Sequence, residues 1–472
     1  PIRISSESWR VTFSCKGRQG RSALASPGGF LLDSVVSLAG RMQFYKEMRL
    51  RSISQARIDA ALANRTQPAL EALGHLLAVD TSFPPGAGYA RFADVLEEIF
   101  APLGFGFRRE EVPAPLWRIA GEAEGARVNL IAMPTARSRP ACNIYFHTDT
   151  VPPGEGWTRE PFALTQDGET LYGRGAADMK GAIAALLLAL EAARDAEIPL
   201  AHDPVLLFCT DEEGGLYPGI RHLAEQGMIE GDHLICLNGG AMPRIWAGCF
   251  GSLDVAIRVE GRAAHSGNAG EGGINAVEQA LPVLSALMAL KGRVEARASA
   301  LPPPPHLAGK PLMARLSITA VQGGAKGSAL PGLCRILVNR RVMPEETMAG
   351  ALAEIEAAVA HGAAQARALS VTTQLVGRLD PVVAPDAGGA HWPRWQAALS
   401  AGFGWPIESF GRWGASSSSD MGFVQQAGLQ EILLGGLSRP DNRTHGPDEF
   451  TTVGDLTGLA RALLLHLSDR PI

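Results

Sequence analysis

The sequence predicts an α/β protein into which a smaller α+β unit is inserted. Strand-like and helical runs alternate between about residue 54 and residue 248, which is typical of a sheet with helices on both faces. Polar residues directly follow several of the strand-like runs. Near Gly248 the pattern changes to the apolar–polar alternation of half-exposed antiparallel strands. Two structural parts also suit a chain of 472 residues.

The elements of the first part follow in a regular order. "PALEALGHLLAVDTS" and "YARFADVLEEIFAPLGF" have helical spacing of apolar residues, and "ARVNLIAMP" and "ACNIYFHTD" are typical of strands. "GAIAALLLALEAARD" predicts a deeply buried helix. "PVLLFCTDEEGG" and "HLICLNGG" are strands that end on polar residues. Sheets of this kind place their ligands at the carboxyl ends of the strands.

The inserted part has the order strand, helix, strand, strand, helix, strand, which fits a ferredoxin-like α+β unit. It begins with "GSLDVAIRVEGRAAHSG" and contains the helical run "EETMAGALAEIEAAVAHGAAQA". We expect a first domain over residues 50–248, the inserted domain over 249–374, and completion of the first domain by 375–472.

Residues 1–49 do not fit this pattern and are expected to be an appended or poorly ordered segment. The chain begins with Pro1, and Met42 or Met48 could be a natural start. A targeting peptide is the alternative, although Asp33 interrupts the apolar run "FLLDSVVSLAG".

The composition restricts the class of protein. Hydrophobic residues make up 46% and charged residues 19%, as in globular proteins. A net charge of −5 does not favour nucleic-acid binding, and no apolar run is long enough for a membrane span. The six cysteines are scattered without CxxC pairs, which favours a reducing compartment. We therefore expect a cytoplasmic protein that binds neither nucleic acid nor membrane.

The candidate functional residues are polar side chains beside the predicted buried elements. They are His147, Asp149, Asp178, Glu212, Glu213 and His445. Each has a structural alternative: the pairs can be polar turns, Asp178 can be a helix N-cap, and His445 can be a surface histidine. Two imidazoles and several carboxylates together suit a borderline divalent ion such as Zn²⁺, Mn²⁺ or Co²⁺.

Four motifs in this order resemble the M20 family of metallohydrolases. They are "YFHTDTVPPGEGWTREPF", "LYGRGAADMKGAIAALLLAL", "TDEEGG" and "HGPDEF". The resemblance covers roughly residues 55 to 467. It is a resemblance to carboxypeptidase G2-like, aminoacylase-like, acetylornithine deacetylase-like and succinyl-diaminopimelate desuccinylase-like enzymes. It implies a zinc-peptidase-like catalytic domain with an inserted lid and dimerisation domain.

The resemblance also implies a role for each candidate residue. His147 would bind one metal ion, Asp178 would bridge two, and Glu213 and His445 would bind the other. Asp149 would orient His147 through its far ring nitrogen. Glu212 would be the general base that takes a proton from metal-bound water. A cis peptide bond between Asp178 and Met179 is implied as well.

In the inserted domain, "GRAAHSG" and "NRRVMP" match further family motifs. His265 would act in the active site of a partner subunit, where it would stabilise a developing oxyanion. Arg341 would hold a substrate carboxylate, with Arg340 as the neighbour that could be confused with it. The implied partners are a small carboxylate-bearing substrate and further copies of the chain, in a homodimer or a higher homo-oligomer.

Three positions depart from the family pattern. Asn238 stands where the family has an acidic ligand beside His147. Ser328 stands at the position of a substrate-binding asparagine, and Asn339 at that of an aspartate. A neutral amide is a weaker ligand than a carboxylate. We therefore expect one firm metal site, made by Asp178, Glu213 and His445, and a second that is weak.

These departures leave three functions open. The first is hydrolysis of an amide, as in a peptidase or deacylase. The second is replacement of an aromatic amine by hydroxyl, as in nitroanthranilate hydrolysis. The third is a non-catalytic binding protein of the same fold, which the presence of Glu212 and four ligands argues against.

Overall fold

The computed structural model describes residues 56–117, 125–267, 272–385 and 389–469. The site and the domains considered below lie in the compact unit Ile58–Ile472. The predicted segment 1–49 falls outside the described residues.

The elements of the first part are α1 (56–77), α2 (Tyr89–Phe100), β1 (Phe105–Glu111), β2 (Val128–Pro134), β3 (Ala141–His147), β4 (Thr165–Asp167), β5 (Thr170–Tyr172), α3 (Lys180–Asp195), β6 (Asp203–Cys209), α4 (Pro218–Glu225), β7 (His233–Cys236) and β8 (Arg244–Cys249). The inserted part contains β9 (Gly251–Glu260), β10 (Ala264–His265), α5 (Ala276–Val294), β11 (Arg315–Gly323), β12 (Ala329–Leu330), β13 (Leu333–Val342), α6 (Met348–Ala363) and β14 (Ser370–Leu379). The last part contains β15 (Val382–Val383), α7 (Trp392–Phe403), β16 (Gly411–Ala415), α8 (Met421–Gln426), β17 (Glu431–Leu434), β18 (Phe450–Thr452) and α9 (Val453–Leu467).

The central sheet has the strand order β1-β2-β6-β3-β7-β17. Strand β3 runs parallel to β6 and β7, and β17 runs parallel to β7, whereas β1 and β2 are antiparallel. All seven residues of β3 are buried, as expected for a strand covered on both faces. The carboxyl ends of β3, β6 and β7 therefore meet at one edge of the sheet, and their amino ends meet at the opposite edge.

Helices cover both faces of this sheet, as predicted. Alternate residues of β3 point to opposite faces. Ile144 and Phe146 pack in a core with α1, α2, α3, α7 and α9, whereas Tyr145 packs in a second core with α4 and α8. Helix α3 is almost fully buried because its sequence is apolar on all sides. The α/β fold class is confirmed.

The inserted part is an antiparallel sheet of order β11-β13-β9-β14 with α5 and α6 against it. Its strand–helix order is the predicted one. Strand β14 continues to Leu379, so the sheet extends past the predicted boundary at residue 374. The ribbon of β10 and β12 joins two loops of the inserted part. The whole inserted part is hereafter called the lid.

Two small three-stranded sheets were not predicted. Their orders are β15-β8-β16 and β18-β5-β4. Their strands are short and pair segments far apart in sequence, so local periodicity gives little signal. The cysteines among the described residues are buried and free, and no described helix has the length and apolar character needed to cross a bilayer.

Candidate active site

His147 is the last residue of β3, and the main chain that follows it turns back to contact its ring. The Nδ1 atom lies 3.0 Å from the main-chain oxygen of Asp149. A carbonyl oxygen can only accept, so Nδ1 carries a hydrogen and Nε2 is the ring atom that faces the cluster. This differs from the expectation that the Asp149 carboxylate makes the contact, since its Oδ1 lies 3.7 Å away.

The Asp149 carboxylate instead accepts two main-chain hydrogen bonds from the segment that follows β6. The amides of Glu212 and Glu213 donate to it over 3.0 and 2.8 Å. Burial raises the pKa of Asp149 to about 7. Asp149 thus fixes the acidic pair relative to the end of β3.

Asp178 lies between the two imidazoles of the site. One carboxylate oxygen is 2.9 Å from Nε2 of His147, and the other is 3.4 Å from Nε2 of His445. The peptide bond between Asp178 and Met179 is cis, as the family resemblance implied. Each oxygen of this carboxylate therefore faces a different histidine, which is the arrangement a bridging ligand needs.

Glu213 and His445 make the other contact of the cluster. Oε1 of Glu213 lies 2.9 Å from Nε2 of His445. His445 has a left-handed backbone (φ 65°), a conformation that costs about 1–3 kcal/mol for a non-glycine residue and is concentrated at functional sites. The loop after β17 delivers this imidazole to the ends of β3 and β6.

Charges in the cluster are strongly coupled. Burial alone would lower the pKa of His147, but the hydrogen bond to Asp178 and the nearby carboxylates raise it well above its usual value. Hydrogen bonds with Asp178 and Glu213 raise the pKa of His445 to about 10. Against the effect of burial, the two histidines hold the pKa of Asp178 below its usual range. The negative charge of the carboxylates therefore favours a positively charged group or ion at this point.

Glu212 is held apart from this contact network. Its Oε1 accepts a hydrogen bond of 3.0 Å from the amide Nδ2 of Asn238, which follows β7. Burial raises the pKa of Glu212 well above its usual value, and the charges of Asp420 and Glu213 add to the shift. Asn238 was expected only as a weakened metal ligand, and its hydrogen bond to Glu212 was not predicted.

A buried ion pair supports the main chain at Asp178. Glu449 accepts hydrogen bonds from the amides of Gly175, Ala177 and Asp178. The same carboxylate lies 2.6 Å from Nη1 of Arg174. Arg174 lies in "LYGRGAADMKGAIAALLLAL" and Glu449 in "HGPDEF", but their pairing was not predicted, because the two residues are far apart in the chain.

Two further carboxylates at the site were also missed. Asp420 is buried and accepts a hydrogen bond from the hydroxyl of Tyr145, and burial raises its pKa. Asp211 precedes Glu212 and pairs with the buried Arg127 over 2.7 Å. Asp420 follows four serines, a stretch without periodicity. The only available sequence signal for Asp211 was its position beside the acidic pair.

Of the two neighbouring arginines of the lid, Arg341 contacts the last part of the chain. Arg341 donates to the hydroxyl of Ser418 over 2.7 Å, and it lines a cavity of about 610 Å³ with Ser416 and Ser417. Arg340 is fully buried and contacts Glu346 over 2.6 Å within the lid. Asn339 donates to Asp254 over 2.8 Å.

His265 and Ser328 lie close to each other in the lid. His265 pairs with Ala329 in the ribbon of β10 and β12, and Ser328 accepts a main-chain hydrogen bond from Ser266. His265 is exposed, and its Nδ1 accepts from the amide of Gly267. Within the described ranges, no hydrogen bond or ion pair joins either side chain to Asp178, Glu212 or Glu213.

The donor set of the cluster fits a divalent metal ion. Single ligand atoms of His147, Asp178 and Glu213 lie within 4.8 Å of one another, and His445 contacts two of these residues. Imidazole and carboxylate are the ligands that Zn²⁺ and similar ions take from proteins. Buried carboxylates also require a compensating charge.

Fold and site together define a class of protein: an α/β domain with an imidazole–carboxylate cluster at the carboxyl ends of its strands and an inserted α+β lid. The family model for "Peptidase family M20/M25/M40" matches residues 144–468. The chain belongs to this family, which confirms the resemblance seen in the motifs.

Known proteins agree with this assignment. An acetylornithine deacetylase of Klebsiella pneumoniae is 30% identical over 248 residues, or 52% of this chain and 59% of that enzyme. A succinyl-diaminopimelate desuccinylase of Gluconobacter oxydans is 36% identical over 189 residues, covering 38% of this chain and 45% of that enzyme. The chain thus spans about half the length of these curated relatives.

The fold is also that of a solved dipeptidase. The structure of Dug1p from Saccharomyces cerevisiae has a TM-score of 0.68 and 17% identity, and the match covers 88% of this chain and 99% of that one. At this level of identity the likeness concerns the fold alone.

Proposed function

We propose that this protein is a metal-dependent hydrolase of a carbon–nitrogen bond in a small substrate that carries a carboxylate, with an amide as the bond cleaved. One observation carries the proposal. Asp178 lies between His147 and His445 with Glu213 beside them, while Glu212 stands next to this set without joining its contacts. Ligands and a separate base are what such a hydrolase needs.

The names of the relatives support the amide class. A deacetylase and a desuccinylase each remove an acyl group, and the protein with the similar fold is a di-peptidase. Amides are the common element of these three names.

The metal ligands proposed are His147, Asp178, Glu213 and His445. A divalent ion held there would supply Lewis acidity, which lowers the pKa of water and polarises a carbonyl. We infer one firm site at Asp178, Glu213 and His445, and a weaker one at His147. The second site is weaker because Asn238 directs its Nδ2 towards Glu212 and brings no negative charge.

Glu212 is the proposed general base. Its raised pKa makes the carboxylate a stronger proton acceptor than an exposed glutamate. It would accept a proton from the attacking water at a carboxylate oxygen and donate that proton to the departing nitrogen. The hydrogen bond from Asn238 holds Oε1 in one orientation, which leaves the other oxygen for proton transfer.

Arg341 is the proposed partner of the substrate carboxylate. Its guanidinium lines the cavity together with Arg315 and Asn339, and its hydrogen bond to a serine hydroxyl is one that a carboxylate can replace. Ser328 is a second proposed substrate contact. Its exposed position on the lid suits a residue that meets substrate when the lid approaches the catalytic domain.

Hydrolysis of an aromatic amine is the second candidate. The observation that favours it is Asn238, which gives the His147 side no carboxylate besides that of Asp178 and donates its amide hydrogen to Glu212. Aryl-amine hydrolysis needs activated water, a base and a carboxylate clamp, and it does not require the amide-binding asparagine that Ser328 replaces.

We further infer that the lid joins copies of the chain, and that His265 acts in the site of a neighbouring subunit. His265 is exposed, and among the described residues no hydrogen bond or ion pair joins its side chain to the cluster of its own chain, which supports this arrangement.

The decisive experiment is a turnover assay of the wild type and of Glu212→Gln on a panel of N-acyl amino acids, dipeptides and aminobenzoates. Loss of a positioned base should lower kcat by about 10²–10⁴-fold, while the metal content measured by plasma mass spectrometry stays unchanged. Retained turnover would remove Glu212 as the base. If aminobenzoates released ammonia and no N-acyl amino acid or dipeptide were cleaved, the second candidate would replace amide hydrolysis as the proposed function.

The exposed Glu98→Gln is a matched control that should leave kcat unchanged. A further experiment mixes the His265→Ala variant with the Glu212→Gln variant. Two inactive variants should recover part of the activity if His265 acts between subunits, and mixtures that stay inactive speak against it.

A further inference from the structure

A second group of metal-binding side chains lies at the amino ends of the parallel strands. His202 precedes β6, His233 is the first residue of β7, His391 is the N-cap residue of α7, and His466 is in the last turn of α9. A strand rises about 3.3 Å per residue, so Cys142 beside this group lies roughly 17 Å from His147 along β3. The group is therefore independent of the candidate active site.

Four of the eleven histidines of the chain meet here. The rings of His202 and His233 have centroids 5.2 Å apart, and those of His233 and His391 are stacked at 3.7 Å. The ring of His466 lies 5.6 Å from that of His233. The four rings therefore form one cluster at this edge of the sheet.

The hydrogen bonds of the group leave some ring nitrogens without a partner. Nε2 of His233 lies 3.4 Å from Nε2 of His466, a contact that a metal ion bound by His233 would replace. Nδ1 of His233 donates to Asp232 over 2.8 Å, and the same carboxylate oxygen lies 3.3 Å from Nε2 of His391. Among the residues that the structure describes, the buried Nδ1 atoms of His202 and His466 have no hydrogen-bond partner. A buried ring nitrogen without a partner is costly, and a metal ion can satisfy it.

We propose that His202, His233 and His391 form a second binding site, for a divalent transition metal ion such as Zn²⁺, at the edge of the sheet opposite the active site. Single ligand atoms of the three residues all lie within 4.8 Å of one another. Ligands of a tetrahedral zinc site are about 3.4 Å apart, given bonds of about 2.0–2.1 Å. Rotation of the side chains closes this difference.

The environment of the three histidines suits entry of a cation. His202 and His391 are partly exposed, whereas His233 is buried, so the site opens to solvent on one side. Asp232 is an exposed carboxylate at this opening. The nearby Arg394 donates to the main-chain oxygens of Leu465 and His466, which directs its guanidinium to the end of α9.

One rearrangement is required. Imidazole binds a metal ion in the plane of its ring, and the His233 and His391 rings are stacked face to face with an angle of 13° between them. His391 is the ring that turns, since its side chain is 22% exposed at the start of a helix. Cys142 belongs to a different grouping of ligand atoms, with His233 and His466. The site is therefore built from imidazoles.

The test counts Zn²⁺ bound per chain after dialysis of the untagged, chelator-treated protein, with plasma mass spectrometry as the readout. We expect the double variant His202→Ala/His391→Ala to retain one equivalent of Zn²⁺ per chain fewer than the wild type, because its affinity for that ion falls at least about tenfold. Hydrolytic turnover should be unchanged. An equal number of equivalents in both proteins would overturn the proposal.

Two controls keep the result specific. His306→Ala/His361→Ala removes two exposed histidines of the lid and should retain every equivalent. Asp178→Asn, loaded with Zn²⁺, isolates the second site for X-ray absorption. A shell of imidazole nitrogens at about 2.0 Å is expected, and a shell of oxygens alone would overturn the proposal even if the double variant folds poorly.

Discussion

The two ends of strands β3, β6 and β7 carry polar clusters of opposite kinds. The carboxyl ends bring together the acidic residues Asp178, Glu212 and Glu213 with two imidazoles. The amino ends bring together four imidazoles beside the carboxylate of Asp232. At the first cluster the pKa values of His147 and His445 are raised, whereas at the second burial lowers the pKa of His233 to about 4.

The difference shows how the charge of a cluster decides its chemistry on one scaffold. Closely spaced carboxylates attract cations, and their negative charges raise the pKa of a neighbouring base such as Glu212. Neutral imidazoles can ligate a metal ion but do not offer a carboxylate base at the same point. We therefore assign the reaction to the carboxyl ends and metal binding without hydrolysis to the amino ends.

The largest effect is expected from Asp178→Asn. Removing the charge between His147 and His445 should release metal from the carboxyl-end cluster and lower kcat/KM at least about 10³-fold, since several kcal/mol of stabilisation are lost. Binding of Zn²⁺ at the amino ends should persist. Turnover assays and metal counting on the same preparation measure the two effects. Loss of all bound zinc would contradict independent metal binding by the two clusters.

A smaller effect is expected from Glu449→Gln. The substitution leaves Arg174 buried without its counter-charge and weakens the support of Gly175, Ala177 and Asp178. Breaking a buried pair costs about 3–5 kcal/mol of unfolding free energy.

Urea denaturation measures this cost. Arg91→Gln, which breaks an exposed pair with Glu98, is the control and should cost less than about 1 kcal/mol. Equal losses in the two variants would mean that Glu449 is not a main support of the carboxyl-end cluster.

The smallest effect is expected from Asn238→Asp. A carboxylate here adds negative charge beside His147 and removes the hydrogen bond to Glu212. The weaker of the two metal sites should bind Zn²⁺ about tenfold more tightly, as expected when a ligand set gains charge. Titration calorimetry measures the change, and an unaltered affinity would show that Asn238 does not limit metal loading.

Several features of the molecule were accessible from local sequence. The fully buried strand β3 and the apolar helix α3 have patterns that permit few other structures. The strand–helix order of the lid followed from alternation of apolar and polar residues. Motifs in a fixed order predicted which residues gather at the strand ends, and the structure brings His147, Asp178, Glu213 and His445 together.

The supporting contacts were not accessible in this way. Glu449 and Arg174 are far apart in the chain, as are Asp420 and Tyr145, so no local pattern links them. The role of Asp149 depended on a main-chain turn that brings its carbonyl rather than its carboxylate to His147. The choice between Arg340 and Arg341 required knowing which face of β13 meets the lid core.

By itself, the sequence determined the α/β class, the lid insertion and the identity of the residues at the carboxyl ends, because periodicity and motif spacing are local properties. The tertiary structure alone decided that Asn238 donates to Glu212 and that four scattered histidines meet at the amino ends. Both depend on parallel strands being aligned side by side, which joins residues that no local pattern connects.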